Sequence, residues 1–150
     1  MMDCKENRMA EHKGGCLCGD VQVKITGDPV AMLVCHCKIC RGWLAGAMNG
    51  AVLFKPEDVT VTKGADKLRS FALSEGHDRS WCESCGGHVL TDHRDSLGVV
   101  DVYASVIEDF EFKPMAHVNY ASRIMSVPDG LPKFVDFPAD FGGSGETMDE

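Results

Sequence analysis

The chain has 150 residues, 44% of them hydrophobic and 25% charged, which are ordinary proportions for a soluble domain long enough to build a core without disulfides. Its formal net charge of −8 argues against nucleic acid and anionic membranes as general partners. Residues 1–13 carry no apolar signal core, and no run approaches the roughly 18 apolar residues of a membrane span, so a cytoplasmic location is expected.

Residues 1–13 read as a mobile lead-in in which Cys4 is a bystander. Gly14-Gly15 then opens a first cysteine pair, Cys16-Leu17-Cys18. Residues 21–25 alternate apolar and polar, the period-2 mark of a half-buried strand. After the turn at Gly27-Asp28-Pro29, residues 30–34 form an apolar run into Cys35-His36-Cys37-Lys38-Ile39-Cys40-Arg41. Residues 38–44 have room for one helical segment, and 46–54 reads as a strand interrupted by Gly46 and Gly50.

Beyond the turn at 55–58, short strands are expected at 59–62, 68–73 and 79–82, the last leading into Cys82-Glu83-Ser84-Cys85. Further strands are expected at 88–91, 97–103 and 116–120. Short strands at close spacing, with only one-turn helices between them, indicate a mainly β single domain over 14–137. Residues 138–150, with Pro138 and Gly142-Gly143-Ser144-Gly145, read as a flexible tail.

Seven of the eight cysteines fall in the three clusters. Residues i and i+2 of a strand share a face, so Cys16 with Cys18, and Cys35 with Cys37, can each aim at one metal. Cys37 with Cys40, and Cys82 with Cys85, have the spacing of zinc knuckles, and Gly86 suits the tight turn that follows. In a reducing compartment disulfides are disfavoured, and a redox C-x-x-C would sit near a βαβ pattern that this chain lacks. Metal ligation is therefore the expected role. Seven thiolates divide into a closed set of four, which is structural, and a set of three, which keeps a position for substrate. Spacing alone allows Cys16, Cys18, Cys82 and Cys85 to form the closed set; it equally allows Cys16 and Cys18 to join Cys37 and Cys40.

Around the central cluster, His36 is expected to point away from a metal held by its neighbours, as a packed residue. Lys38 and Arg41 lie beside the cluster, and the guanidinium fork of Arg41 suits a carboxylate, with a surface salt bridge as the competing reading. Trp43 and Trp81 are expected in the core. His77, His88, His93 and His117 show no ligand spacing among themselves.

Gly14-Gly15-Cys16-Leu17-Cys18-Gly19, Cys35-His36-Cys37-Lys38-Ile39-Cys40-Arg41 and Trp81-Cys82-Glu83-Ser84-Cys85-Gly86 together resemble the glutathione-dependent formaldehyde-activating enzyme family, which also includes centromere protein V. The resemblance extends to His117-Val118-Asn119-Tyr120 and Leu131-Pro132-Lys133-Phe134. It implies a tent-like fold of antiparallel sheets with two zinc ions: a structural one on Cys16, Cys18, Cys82 and Cys85, and a catalytic one on Cys35, Cys37 and Cys40. It also implies a carbon–sulfur lyase that condenses glutathione, or a similar thiol, with formaldehyde or another small aldehyde. The alternative it implies is a zinc-stabilised interaction module without activity, like centromere protein V. The sequence carries no signal for an oligomeric state.

Overall fold

A computed structural model describes residues 10–150. The protein is mainly β. In chain order its elements are β1 (Glu11–Gly15), β2 (Gln22–Thr26), β3 (Ala31–Cys35), α1 (Lys38–Leu44), β4 (Asn49–Phe54), β5 (Val59–Lys63), β6 (Leu68–Ala72), β7 (Asp78–Cys82), β8 (His88–His93), β9 (Val99–Tyr103) and β10 (Ala116–Val118). Short 3-10 turns link several of them, and the strands form two sheets. Of the lead-in expected over 1–13, residues 1–9, Cys4 among them, lie outside the described residues; residues 11–13 lie in β1.

The chain divides into two compact units. Among the described residues, the first takes in 10–30, Leu53–Val102 and Val106–Phe110. In it β1 pairs antiparallel with β2, and β2 with β5. The alternation read at 21–25 is the cause: Val21, Val23 and Ile25 are buried to within 1%, while Gln22 faces solvent. Each such branched side chain contributes roughly 1.5–3 kcal/mol of burial. The antiparallel run β6, β7, β8, β9 buries Val89, Val100 and Val102, and its strands β8 and β9 bury consecutive residues rather than one face.

The second unit takes in Ala31–Val52, Tyr103–Ser105 and Glu111–Glu150. Here β10 runs parallel to β3, with Val118 opposite Cys35, and the ladder continues one residue further because His36 N donates to Val118 O at 3.1 Å. Residues 133–135 add a second rung beside His117, through His117 N to Pro132 O and Phe134 N to His117 O, both 2.9 Å. Residues 146–148 return onto that rung: Val135 N donates to Glu146 O and Met148 N to Lys133 O, both 2.9 Å. The turn before this return is closed by Asp136 Oδ1, which accepts from Ser144 N and Ser144 Oγ. The interior of the unit is unusually polar, since His36, His117 and Lys133 are buried beside Tyr120 and Val118.

α1 buries none of its seven residues. Helices this short are marginal in water without packing. Its tethers are the Cys37 cap, whose Sγ accepts from Cys40 N at 3.2 Å, and Trp43, whose indole N–H donates to Tyr103 Oη at 3.0 Å. It ends at Ala45 in the left-handed region, φ 51°, with the Ala45 N–H on Arg41 O.

Candidate metal centres

In the first unit, the turn after β1 and the hairpin after β7 bring four cysteines together. The sulfurs of Cys16, Cys18, Cys82 and Cys85 all lie within 4.8 Å of one another, with Cys16 to Cys18 at 3.6 Å and Cys18 to Cys82 at 3.9 Å. A tetrahedral zinc with sulfurs at about 2.3 Å requires edges near 3.8 Å, so the donor set fits. Backbone N–H groups support it: Val21 N donates to Cys16 Sγ at 3.2 Å and Gly87 N to Cys85 Sγ at 3.3 Å. The N–H groups at Cys18 and Gly87 pull the Cys85 thiol down to about 6. Cys18 goes the other way: the Asp20 N–H favours its thiolate, but burial and three neighbouring thiols push it up to about 12.

Two adjacent glycines follow Cys85 for separate reasons. Gly86 has φ 75°, where an L side chain is strained. A Cβ on Gly87 would stand 3.2 Å from Cys85 Sγ and 3.2 Å from Leu17 N, crowding the knuckle.

In the second unit, the end of β3 and the start of α1 bring Cys35, Cys37 and Cys40 to within the same 4.8 Å limit. Cys35 is buried, whereas Cys37 and Cys40 are partly exposed. The trio does not share protons evenly. Cys37 is drawn down to about 2 because Cys35, Cys40 and the N–H groups of Cys40 and Ile39 all donate to it. Cys40 is pushed far up by facing Cys35 and Cys37; Cys35 rises to about 11 because Cys37 and burial outweigh the hydrogen bonds it receives from Cys40 and Asn119. Three thiolates cannot coexist at this spacing without a cation, and a divalent metal is the charge that removes the conflict. Asn119, held at φ 52° just after β10, donates Nδ2 to Cys35 Sγ at 3.4 Å.

Behind the trio lies a chain of buried polar groups. The His36 ring is fully buried, with Nε2 2.8 Å from His117 Nδ1 and Tyr120 edge-on at 5.0 Å. His117 Nε2 lies 2.7 Å from Asp129 Oδ2. Lys133 Nζ donates to Asp129 Oδ1 at 2.6 Å, Leu131 O at 2.8 Å and Glu150 Oε1 at 3.0 Å. Burial would raise the Asp129 carboxyl, but hydrogen bonds from Lys133 and His117 outweigh it and hold the group well below the carboxylate range. Burial first, and then the positive charges of Arg123, Lys133 and Arg41, depress His36 to about 4, so the ring is neutral at physiological pH.

The structure thus gathers Cys16, Cys18, Cys82 and Cys85 in one place and Cys35, Cys37 and Cys40 in another, the first of the two divisions that spacing allowed. Arg41 lies on α1 with Nε donating to His36 O at 3.1 Å, and with Lys38 and Ile124 it lines a groove of about 570 Å³. Sequence reasoning gave Asn119 no role beyond its place in the family resemblance and did not single out Asp129. Asn119 carries no local signal, because its partner is 84 positions away. The Asp129–Lys133 pair, four residues apart, was legible as a local ion pair but not as buried.

A search of known proteins finds similarity at several levels. Residues 11–122 match the model of the glutathione-dependent formaldehyde-activating enzyme family. An uncharacterized lyase of Schizosaccharomyces pombe is 27% identical over 78 residues, which is 52% of this chain and 55% of the relative, so the match spans about half of that curated protein. A crystal structure of a Rhodobacter sphaeroides protein superposes with a TM-score of 0.55 at 23% identity, covering 66% of this chain and 90% of that one, and supports the fold. With three quarters of its length under the family model and both cysteine sets assembled, the chain belongs to the glutathione-dependent formaldehyde-activating enzyme family.

Proposed function

We propose that the protein is a zinc-dependent carbon–sulfur lyase, run in the direction that joins a thiol such as glutathione to formaldehyde or another small aldehyde. The observation that carries this reading is the division of seven thiols into a set of four and a partly exposed set of three. Cys16, Cys18, Cys82 and Cys85 would hold a structural metal, and Cys35, Cys37 and Cys40 a catalytic one. Zinc on three thiolates keeps a fourth position for a substrate sulfur and favours the deprotonated form of that sulfur.

The protein's own groups do the rest. Asn119 donates to Cys35 and orients it; Arg41 and Lys38, at the groove along α1, hold the substrate's carboxylate. In the reaction a sulfur–carbon bond forms, the carbonyl becomes a C–O single bond, and the thiol proton ends on that oxygen. No nucleophile from the protein is consumed.

Exchange spectroscopy by NMR at equilibrium tests this. Protein loaded with zinc should accelerate exchange between glutathione and S-hydroxymethylglutathione, and Cys37→Ser should abolish the acceleration. Exchange unchanged by wild-type protein at several thiol concentrations would overturn the reading in favour of a metal-stabilised interaction module.

A further inference from the structure

The buried chain behind the three cysteines has a direction. Asp129 is ionised at neutral pH and accepts from both His117 and Lys133, so His117 Nε2 must carry a proton. A second proton, on His117 Nδ1, would make His36 Nε2 the acceptor and move the His36 proton to Nδ1, a buried N–H with no partner. His117 is then neutral with a bare Nδ1, which accepts from His36 Nε2–H at 2.8 Å. Both rings are consequently fixed as single tautomers. His36 keeps a bare Nδ1, the one buried side-chain nitrogen or oxygen without a hydrogen-bond partner among the described residues. A buried bare acceptor is the more tolerable of the two orphans, since a buried N–H without a partner is the rarer case.

His36 sits between two members of the trio, and its side chain is the anchor on the opposite side of the backbone from their sulfurs. Its N–H is tied to Val118 O at 3.1 Å, its carbonyl to Arg41 Nε at 3.1 Å, and its ring to His117. A residue so held fixes the backbone at 36, and with it the directions in which the Cys35 and Cys37 Cα–Cβ bonds leave the chain on either side. We propose that His117, oriented by Asp129, is a positioning residue that locks the His36 ring and thereby sets the spacing of the Cys35 and Cys37 sulfurs. The inference rests on the reading of Cys35, Cys37 and Cys40 as a metal site; the tautomer assignment stands without any metal.

Two measurements test it. The first is ¹⁵N NMR of histidine-labelled, zinc-loaded wild-type protein at neutral pH. It should find His36 with a pyridine-like Nδ1 and a protonated Nε2, and His117 in the same tautomer. A protonated His36 Nδ1 would overturn the assignment. The second is cobalt(II) titration, with Cys37→Ser as the baseline that isolates the three-cysteine spectrum. His117→Gln retains an acceptor for His36 and a donor for Asp129, whereas His117→Leu retains neither. Affinity at the three-cysteine site should fall about 10- to 100-fold in His117→Leu and stay within about threefold of wild type in His117→Gln. The four-cysteine site reports whether the variant is folded. If His117→Leu does not fold, the glutamine variant decides: a loss beyond tenfold there overturns the proposal, and retained affinity supports it. Equal affinity in all three proteins would overturn positioning while leaving the metal-site reading intact; no cobalt difference spectrum in wild type would overturn that reading and the positioning role with it.

Discussion

Asn119 and Cys35 meet through a single hydrogen bond: the side-chain amide donates to the sulfur at 3.4 Å from a residue held at φ 52°. Both halves of that arrangement constrain position 119. The left-handed backbone favours Asn or Gly, and the bond to sulfur requires a side-chain donor. Asn119→Gly keeps the first and removes the second. It should fold normally and lose about tenfold in metal affinity at the three-cysteine site, measured by chelator competition, because the donor that orients and steadies the Cys35 thiolate is gone.

The second prediction concerns α1. None of its seven residues is buried, and Cys37 and Cys40, at its cap and in its first turn, are two of its few attachments. Removing metal from the trio should therefore loosen α1 ahead of the strands. Hydrogen exchange with and without a chelator should show residues 38–44 losing protection while β8 and β9 keep theirs. Protection of 38–44 that does not change with metal would mean the helix is held by other contacts.

Period-2 alternation made β2 readable, because it buries one face; Val21, Val23 and Ile25 declare it by themselves. Cysteine spacing marked all seven thiols, because knuckle geometry is local. The allocation of those thiols to two clusters was not local: Cys18 and Cys82 meet across 64 positions. β10 shows the limit most clearly. Its three residues Ala116, His117 and Val118 are all buried, so no alternation marks them, and their partner is a parallel strand far back in the chain. The polar chain from His36 to Glu150 was invisible for a related reason. His117 and Lys133 are types that ordinarily face solvent, and only the approach of distant segments shows that each has a partner inside.

Lys133 offers a third prediction. It is 2% exposed and pairs with both Asp129 and Glu150, each about one third exposed. Lys133→Met leaves two carboxylates close together without their cation and should lower stability, by less than the loss from a fully buried pair because both partners reach solvent. The pH dependence has a definite sign. Both carboxyls are held below their ordinary values of 3.8 and 4.5, so their contribution is present above those values and is lost as pH falls through the lower values of the folded state. The stability gap between wild type and Lys133→Met, from urea melts, should be full at neutral pH and close as the pH drops below about 4. A gap independent of pH would show that Lys133 stabilises by packing alone.

The last prediction separates the two cysteine sets. Cys16 and Cys82 are buried in the first unit, and their cluster ties the β1–β2 turn to the hairpin after β7. A structural zinc contributes roughly 10–16 kcal/mol of apparent binding energy, comparable to or above the whole stability of a domain, about 5–15 kcal/mol. Removing one of its four ligands should therefore unfold the chain or leave it insoluble. The other trio is partly exposed, and its neighbours in the second unit are held by β3, β10 and the rung at 133–135 whether or not a metal is bound. Cys16→Ser and Cys82→Ser should abolish folding, whereas Cys37→Ser and Cys40→Ser should give folded protein with one zinc per chain and no lyase activity. Metal content and a thermal melt of the four variants decide it. Should Cys40→Ser unfold the protein while Cys82→Ser melts like wild type, the metal that holds the fold is the one on the three cysteines, and the division of roles is reversed.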